Sequence, residues 1–120
     1  MNARLLAERH EQYVIDLRRE FHRHPEPSGA ERRTSSRVAA ELESLGIPYE
    51  VVGECGIIAT LRGCGSTGHA VMLRADMDAL PIQESALNLA GPRAVMSGVP
   101  GCAHLCGHNA HTAMLLGVAR

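Results

Sequence analysis

Residues 70–81 read Ala70-Val71-Met72-Leu73-Arg74-Ala75-Asp76-Met77-Asp78-Ala79-Leu80-Pro81, a short apolar run that gives way to two carboxylates. Four consecutive apolar residues without alternation are expected of a strand covered on both faces by helices. The reading is therefore an α/β protein with residues 70–75 as a central strand. In open α/β sheets ligands collect beyond the carboxyl ends of strands, which is where Asp76 and Asp78 fall. Alternation along an extended chain puts both on one side, where they could orient ligand histidines or hold a metal-bound water. The bland alternative is a polar turn in which one aspartate caps a backbone amide.

Working outward towards the amino terminus, Gly56 to Arg62 and Tyr49 to Val52 are two further β-prone runs separated by glycine-rich turns. Before Pro48 the period changes. Leu6, His10, Tyr13, Leu17 and Phe21 follow three- and four-residue steps through a segment rich in Glu and Arg, the pattern of an amphipathic helix that Pro25 and Pro27 end. The stretch Ser28-Gly29-Ala30-Glu31 has the form of a capping box, so a second helix is predicted over residues 29–45 with Val38, Leu42 and Leu45 inward. Gly46 followed by Ile47-Pro48 matches a left-handed glycine stop.

Towards the carboxyl terminus, residues 76–107 are rich in Gly and Pro and have no sustained apolar period. A connection of that length inside a compact domain is functional or disordered, and the chemistry below favours function. From Asn109, a good cap residue, His111-Thr112-Ala113-Met114-Leu115-Leu116 reads as a third helix. The predicted order is helix, helix, strands, helix.

The 120 residues have room for one modest domain. At 45% apolar and 21% charged residues, with a formal net charge of −1, the chain has the composition of a soluble protein. That balance supplies no basic face for nucleic acid or for an anionic membrane. All twelve basic residues are arginines, and Arg18, Arg19 and Arg23 cluster among acids. No run approaches the ~20 apolar residues that cross a bilayer, and the charged start MNARLLAERHEQ is unlike a secretory leader. A cytoplasmic location is the expectation. The four cysteines, Cys55, Cys64, Cys102 and Cys106, are then free thiols or metal ligands rather than disulfides.

The densest chemistry is His104-Leu105-Cys106-Gly107-His108-Asn109-Ala110-His111, three imidazoles and one thiol in eight residues. Thiolate and neutral imidazole suit zinc and related borderline metals, and Gly107 allows a turn tight enough to present Cys106 and His108 together. The spacing allows two neighbouring metal sites. Taken alone, it equally allows a buried core cysteine beside solvated histidines. Cys102 and Cys106 could also be half of a structural zinc site completed by Cys55 and Cys64.

Four segments in order, Asp16 to Ser28 (DLRREFHRHPEPS), Gly56 to Ala59 (GIIA), Leu73 to Glu84 (LRADMDALPIQE) and Gly101 to Gly117 (GCAHLCGHNAHTAMLLG), resemble successive motifs of one family. It comprises hippurate hydrolases, N-acyl-amino-acid amidohydrolases and plant indole-acetyl-amino-acid hydrolases, and the match runs from about residue 13 to the last residue. The resemblance implies that residues 1–120 are the amino-terminal part of a catalytic domain of the zinc-exopeptidase α/β fold. The family's smaller dimerisation domain, through which its members form homodimers, would be absent.

The resemblance further implies metal ligation by Cys106 and His108, a positioning role for Asp78 and Asp76, and two divalent ions (Zn, Mn or Co) per site. The expected substrate is a small N-acyl amino acid. The family's remaining ligands and its general-base glutamate lie beyond these positions, so the chain alone is expected to be inactive. Where the family usually has aspartate after Cys-Gly-His, this chain has Asn109. Where it usually reads Met-His-Ala-Cys, this chain reads Ala103-His104-Leu105-Cys106. A second reading is a noncatalytic metal-binding or interaction module, or one half of a split enzyme.

Overall fold

A computed structural model describes residues 2–65 and 68–120. Helix α1 spans Ala3–Arg23 and α2 spans Arg32–Ser44; strands β1 (Tyr49–Val52), β2 (Gly56–Ala59), β3 (Leu87–Asn88) and β4 (Gly91–Pro92) follow, and helix α3 covers His108–Ala119. The expected order of helices and strands is present, in a mixed α and β architecture.

Helix α1 begins at Asn2, whose side chain accepts from the Arg4 amide, and stops ahead of Pro25. Its stripe buries Leu17 and Phe21 fully, with Leu6, His10 and Tyr13 half-buried. Leu17 and Phe21, with Tyr13 packed against them, meet Val38 and Leu42 of α2, Ile47, and Ala113 and Leu116 of α3 in one apolar core. The close approach of α1 and α3 depends on Gly117, where an added Cβ would sit 2.5 Å from Val14 Cγ2. A side chain there would require Val14 or the helix that carries it to shift.

The capping box expected at Ser28 to Glu31 does not form. Gly29 adopts a left-handed φ of +82°, which keeps the chain out of helix, and α2 starts only at Arg32. Its orphan amides are met instead by Glu26, whose carboxylate accepts from Arg33 N at 3.0 Å, Thr34 N at 2.6 Å and the Thr34 hydroxyl at 2.7 Å. Burial pushes this carboxyl up, but the Thr34 and Arg33 donors outweigh it and hold Glu26 below the usual carboxylate range. Through its backbone the same residue accepts from Ala79 N at 2.8 Å, which ties the Pro27 and Ala79 segments side by side.

β1 and β2 form an antiparallel hairpin in the register Tyr49 to Ala59 and Val52 to Gly56. A Cβ at Gly56 would lie 2.7 Å from the Val52 carbonyl, so glycine is required at that corner. β2 ends at Ala59, short of the expected Arg62.

The largest departure concerns residues 70–75. No strand forms there, and Val71 and Met72 are 87% and 90% exposed rather than buried between helices. A strand is stabilised by ladder partners on either side, and among the described residues β1 and β2 pair only with each other, as do β3 and β4. Apolar composition alone therefore does not bury this run.

Residues 76–107 are ordered by their own hydrogen bonds. Leu80 and Ala103 exchange both backbone bonds at 3.0 Å, Gln83 Oε1 accepts from Gly101 N, and β3 and β4 close a small hairpin around Ala86 to Arg93. Among the described residues no helix is long and apolar enough to cross a membrane.

Candidate metal centre

The segment that joins Leu80–Ala103 to α3 carries Cys106 and His108 on either side of Gly107. Gly107 is the helix cap and has a φ of +96°, a conformation that would strain any residue with a Cβ. Cys106 lies just outside the helix and is exposed, and His108 is the first helical residue. The expected cap, Asn109, lies inside the first turn and is buried. Its amide turns away from the helix end, towards α1, because Arg18 O at 3.4 Å and His22 Nδ1 at 3.1 Å accept from it there.

His108 is oriented by Asp78. Its Nδ1 lies 2.8 Å from Asp78 Oδ1 and 3.0 Å from the Asp78 carbonyl, both acceptors, so Nδ1 carries the proton and donates. In the neutral ring this leaves the lone pair on Nε2. Asp76 behaves differently. Its carboxylate pairs with Arg74 at 2.5 Å and its carbonyl accepts from the Thr112 hydroxyl at 2.9 Å. The Arg74 hydrogen bond is the main reason that its carboxyl is held below the ordinary range; the more distant His108 and His111 add to it. The two aspartates thus share a loop, but only Asp78 hydrogen-bonds a histidine.

The other histidines of the cluster diverge. His111 sits one turn along α3, its ring centroid 5.8 Å from that of His108. His104 is 6% exposed, and neither of its ring nitrogens has a hydrogen-bond partner. Burial drives its imidazole down to about 4, with His22 and His108 adding to the effect and Asp78 opposing it. Among the described residues no three His, Cys, Asp or Glu side chains converge as a metal cage, so neither a second neighbouring site nor a four-cysteine zinc site is assembled. All four cysteines are free, with Cys55 and Cys102 buried and Cys64 and Cys106 exposed.

The donors that are present nevertheless have the right chemistry for a divalent ion. An exposed thiol and an imidazole whose other nitrogen is fixed by a carboxylate are the ligand types that zinc-like metals take, in the tautomer they require. Two donors are half of what a tetrahedral ion needs.

Behind this loop lies a polar network for which local spacing offers no cue. His22 Nε2 meets Glu84 Oε1 at 2.7 Å across 62 residues of sequence, and both side chains are buried. Glu84 Oε2 accepts from Ser97 N at 2.7 Å, and Arg93 Nε lies 3.5 Å from Oε1. Burial pushes the Glu84 carboxyl up, but Ser97, His22 and Arg93 together leave it below its ordinary range. The only hint in the sequence is that His22 and Glu84 both fall within motif segments.

The model of peptidase family M20/M25/M40 matches residues 72–120. YhaA of Bacillus subtilis, named as an amidohydrolase, is 45% identical over 108 residues, 89% of this chain and 26% of that protein. IAA-amino acid hydrolase ILR1-like 5 of Arabidopsis thaliana is 44% identical over 111 residues, 90% of this chain and 23% of the relative. A crystal structure of the Bacillus subtilis YXEP protein, described as a dinuclear metal binding peptidase of the M20 family, superimposes with a TM-score of 0.81 at 38% identity. It covers 93% of this chain and 30% of that one. The chain spans about a quarter of the length of the curated relatives it matches. Residues 72–120 thus match peptidase family M20/M25/M40, and about nine-tenths of the chain is similar to part of proteins named as hydrolases and of a dinuclear metal binding peptidase of the M20 family.

Proposed function

We propose that Cys106 and His108 are one half of a two-metal centre that hydrolyses the amide bond of small, hippurate-like N-acyl amino acids. The observation that carries this is the Asp78 contact, which fixes a proton of His108 on Nδ1 and leaves Nε2 of the neutral ring to ligate, two residues after the exposed Cys106. Asp78 acts as a positioning residue through His108, and Asp76 braces the same loop through Arg74 and Thr112. Zinc and cobalt are our candidates for the thiolate and imidazole, and manganese becomes one through the carboxylate donors that would complete the set. When loaded, such a centre supplies a water of lowered pKa and a polarised amide carbonyl.

The residues described here hold the ligand loop; they do not supply a general base placed against it. Turnover therefore requires polypeptide carrying the remaining donors, and the exposed run Val71 to Leu73 supports the view that such polypeptide packs beside it. The homodimer expected from the resemblance would likewise involve elements outside these residues. The four free thiols support a cytoplasmic setting.

The test is to supply the purified 120-residue chain with zinc, manganese or cobalt and assay hippurate and acetylated amino acids. No hydrolysis is expected, together with weak divalent binding that is lost in the Cys106→Ala, His108→Ala double variant. Binding unchanged in that variant, even with complementing polypeptide present, overturns the assignment.

A further inference from the structure

The buried chain Asn109, His22, Glu84 has a direction that its donors and acceptors dictate. Asn109 Nδ2 is within reach of two groups, the Arg18 carbonyl at 3.4 Å and His22 Nδ1 at 3.1 Å. A carbonyl can only accept, so the amide must face it with N–H rather than oxygen. The other N–H then points at His22 Nδ1, which can accept only if it bears no proton. At the opposite edge of the ring, Glu84 is a carboxylate acceptor 2.7 Å from Nε2 and is itself fed by the Ser97 amide. Nε2 must therefore be the protonated nitrogen.

We infer that His22 is held as a neutral imidazole with its proton on Nε2, that Asn109 selects this form, and that the chain they make with Glu84 positions the first turn of α3, which carries His108. The positioning role rests on the reading of His108 proposed above; the tautomer does not.

The charged surroundings fit. From the loop, Glu84 faces the ring with Arg93 as its counter-charge at 3.5 Å, and the buried His104 of the segment before α3, its imidazole driven down to about 4 mainly by burial, adds no charge at neutral pH. α1 contributes the Arg18 carbonyl and α3 contributes Asn109, neither of them charged. The Glu84 charge already has a guanidinium partner, so a neutral His22 leaves no unpaired charge in the pocket. The network links α1, the Glu84 to Ser97 loop and α3, and its α3 member is the residue next to His108.

Long-range proton–nitrogen NMR of the metal-free 120-residue chain at neutral pH tests this, with His22→Gln identifying the His22 signals by their loss. The expected pattern is a protonated Nε2 and a bare Nδ1. In Asn109→Asp the new carboxylate should draw a proton onto Nδ1, so that the bare-nitrogen signal disappears and both ring nitrogens read as protonated. A wild-type His22 found with its proton on Nδ1, or on both nitrogens, overturns the inference whether or not any variant folds. An unchanged His22 pattern in a folded Asn109→Asp protein also overturns it. The Nδ1 proton of His108, bonded to Asp78, reports positioning: its resonance should shift in Asn109→Asp, and an unmoved resonance sinks the positioning claim alone. Loss of divalent binding in the Cys106, His108 variant is a separate readout, so failure of the metal reading and failure of the tautomer are distinguishable.

Discussion

The carboxylate of Asp78 and the imidazole of His108 meet at 2.8 Å across 30 residues of sequence, joining the loop after the exposed apolar run to the first residue of α3. A ligating imidazole whose second nitrogen is held by a carboxylate is both better aligned and more basic, and loss of such a partner costs about 10- to 100-fold in metal affinity. Asp78→Ala should therefore weaken divalent binding by about that factor without the complete loss expected of the Cys106, His108 double variant. Calorimetric titration with zinc checks it. Affinity equal to wild type would remove Asp78 from the site.

His104 should make the metal-free protein sensitive to mild acid. Its imidazole titrates at about 6.5 when unfolded and about 4 when folded, because burial disfavours the cation. The unfolded chain thus binds the proton first. Stability is fully present above pH 6.5 and is lost as the pH falls through the window down to about 4, by on the order of 2 to 3 kcal/mol. Urea melts between pH 7 and 4.5 should show this slope, and His104→Phe should flatten it. Glu26 and Glu84, held below their ordinary range, act in the same direction only at lower pH, where they gain protons.

Glu26 takes the place of a helix cap contributed from outside the helix. Removing its carboxylate as Glu26→Ala leaves the Arg33 and Thr34 amides and the Thr34 hydroxyl without their acceptor. The cost should be about 1 to 2 kcal/mol, a fall of several degrees in Tm for a chain of this size. Glu26→Gln keeps one acceptor and should lose less. Equal melts for Ala and wild type would show that α2 is capped by water alone.

Val71 and Met72 should tolerate polar substitution. Both side chains are almost wholly in solvent, so Val71→Ser with Met72→Ser should shift stability by no more than about 0.5 kcal/mol. The same change should raise solubility, since it removes an exposed apolar, unpaired stretch. Light scattering during a thermal melt measures both. A large loss of stability would mean that the run is buried in solution.

Which features were legible in the sequence follows from the range of the interactions. Helices α1 and α2 were visible because their stripes repeat within one turn, and β1 because a β-prone run follows the change of period at Pro48. The Cys106-Gly107-His108 turn was equally local. Residues 70–75 were misplaced because burial of an apolar run is decided by its neighbours, not by its own composition. Ser28 and Asn109 looked like caps on type and position. Yet the work at α2 is done by Glu26, and Asn109 is spent on His22, contacts that no spacing rule anticipates. The pairing of His22 with Glu84 lay further still from view, since two buried groups 62 residues apart share no periodicity.

Glu26 holds Thr34 through its carboxylate and Ala79 through its carbonyl, so the start of α2 and the residue that follows Asp78 hang from a single residue. Amide hydrogens bound to one anchor are released together when it lets go. The Thr34 and Ala79 amides should accordingly exchange with deuterium through a common opening, as members of one cooperative unit, although one belongs to a helix and the other to a loop. The loop that orients His108 is then as durable as the helix whose end it shares, and it should not exchange on its own at the rate of an ordinary surface turn.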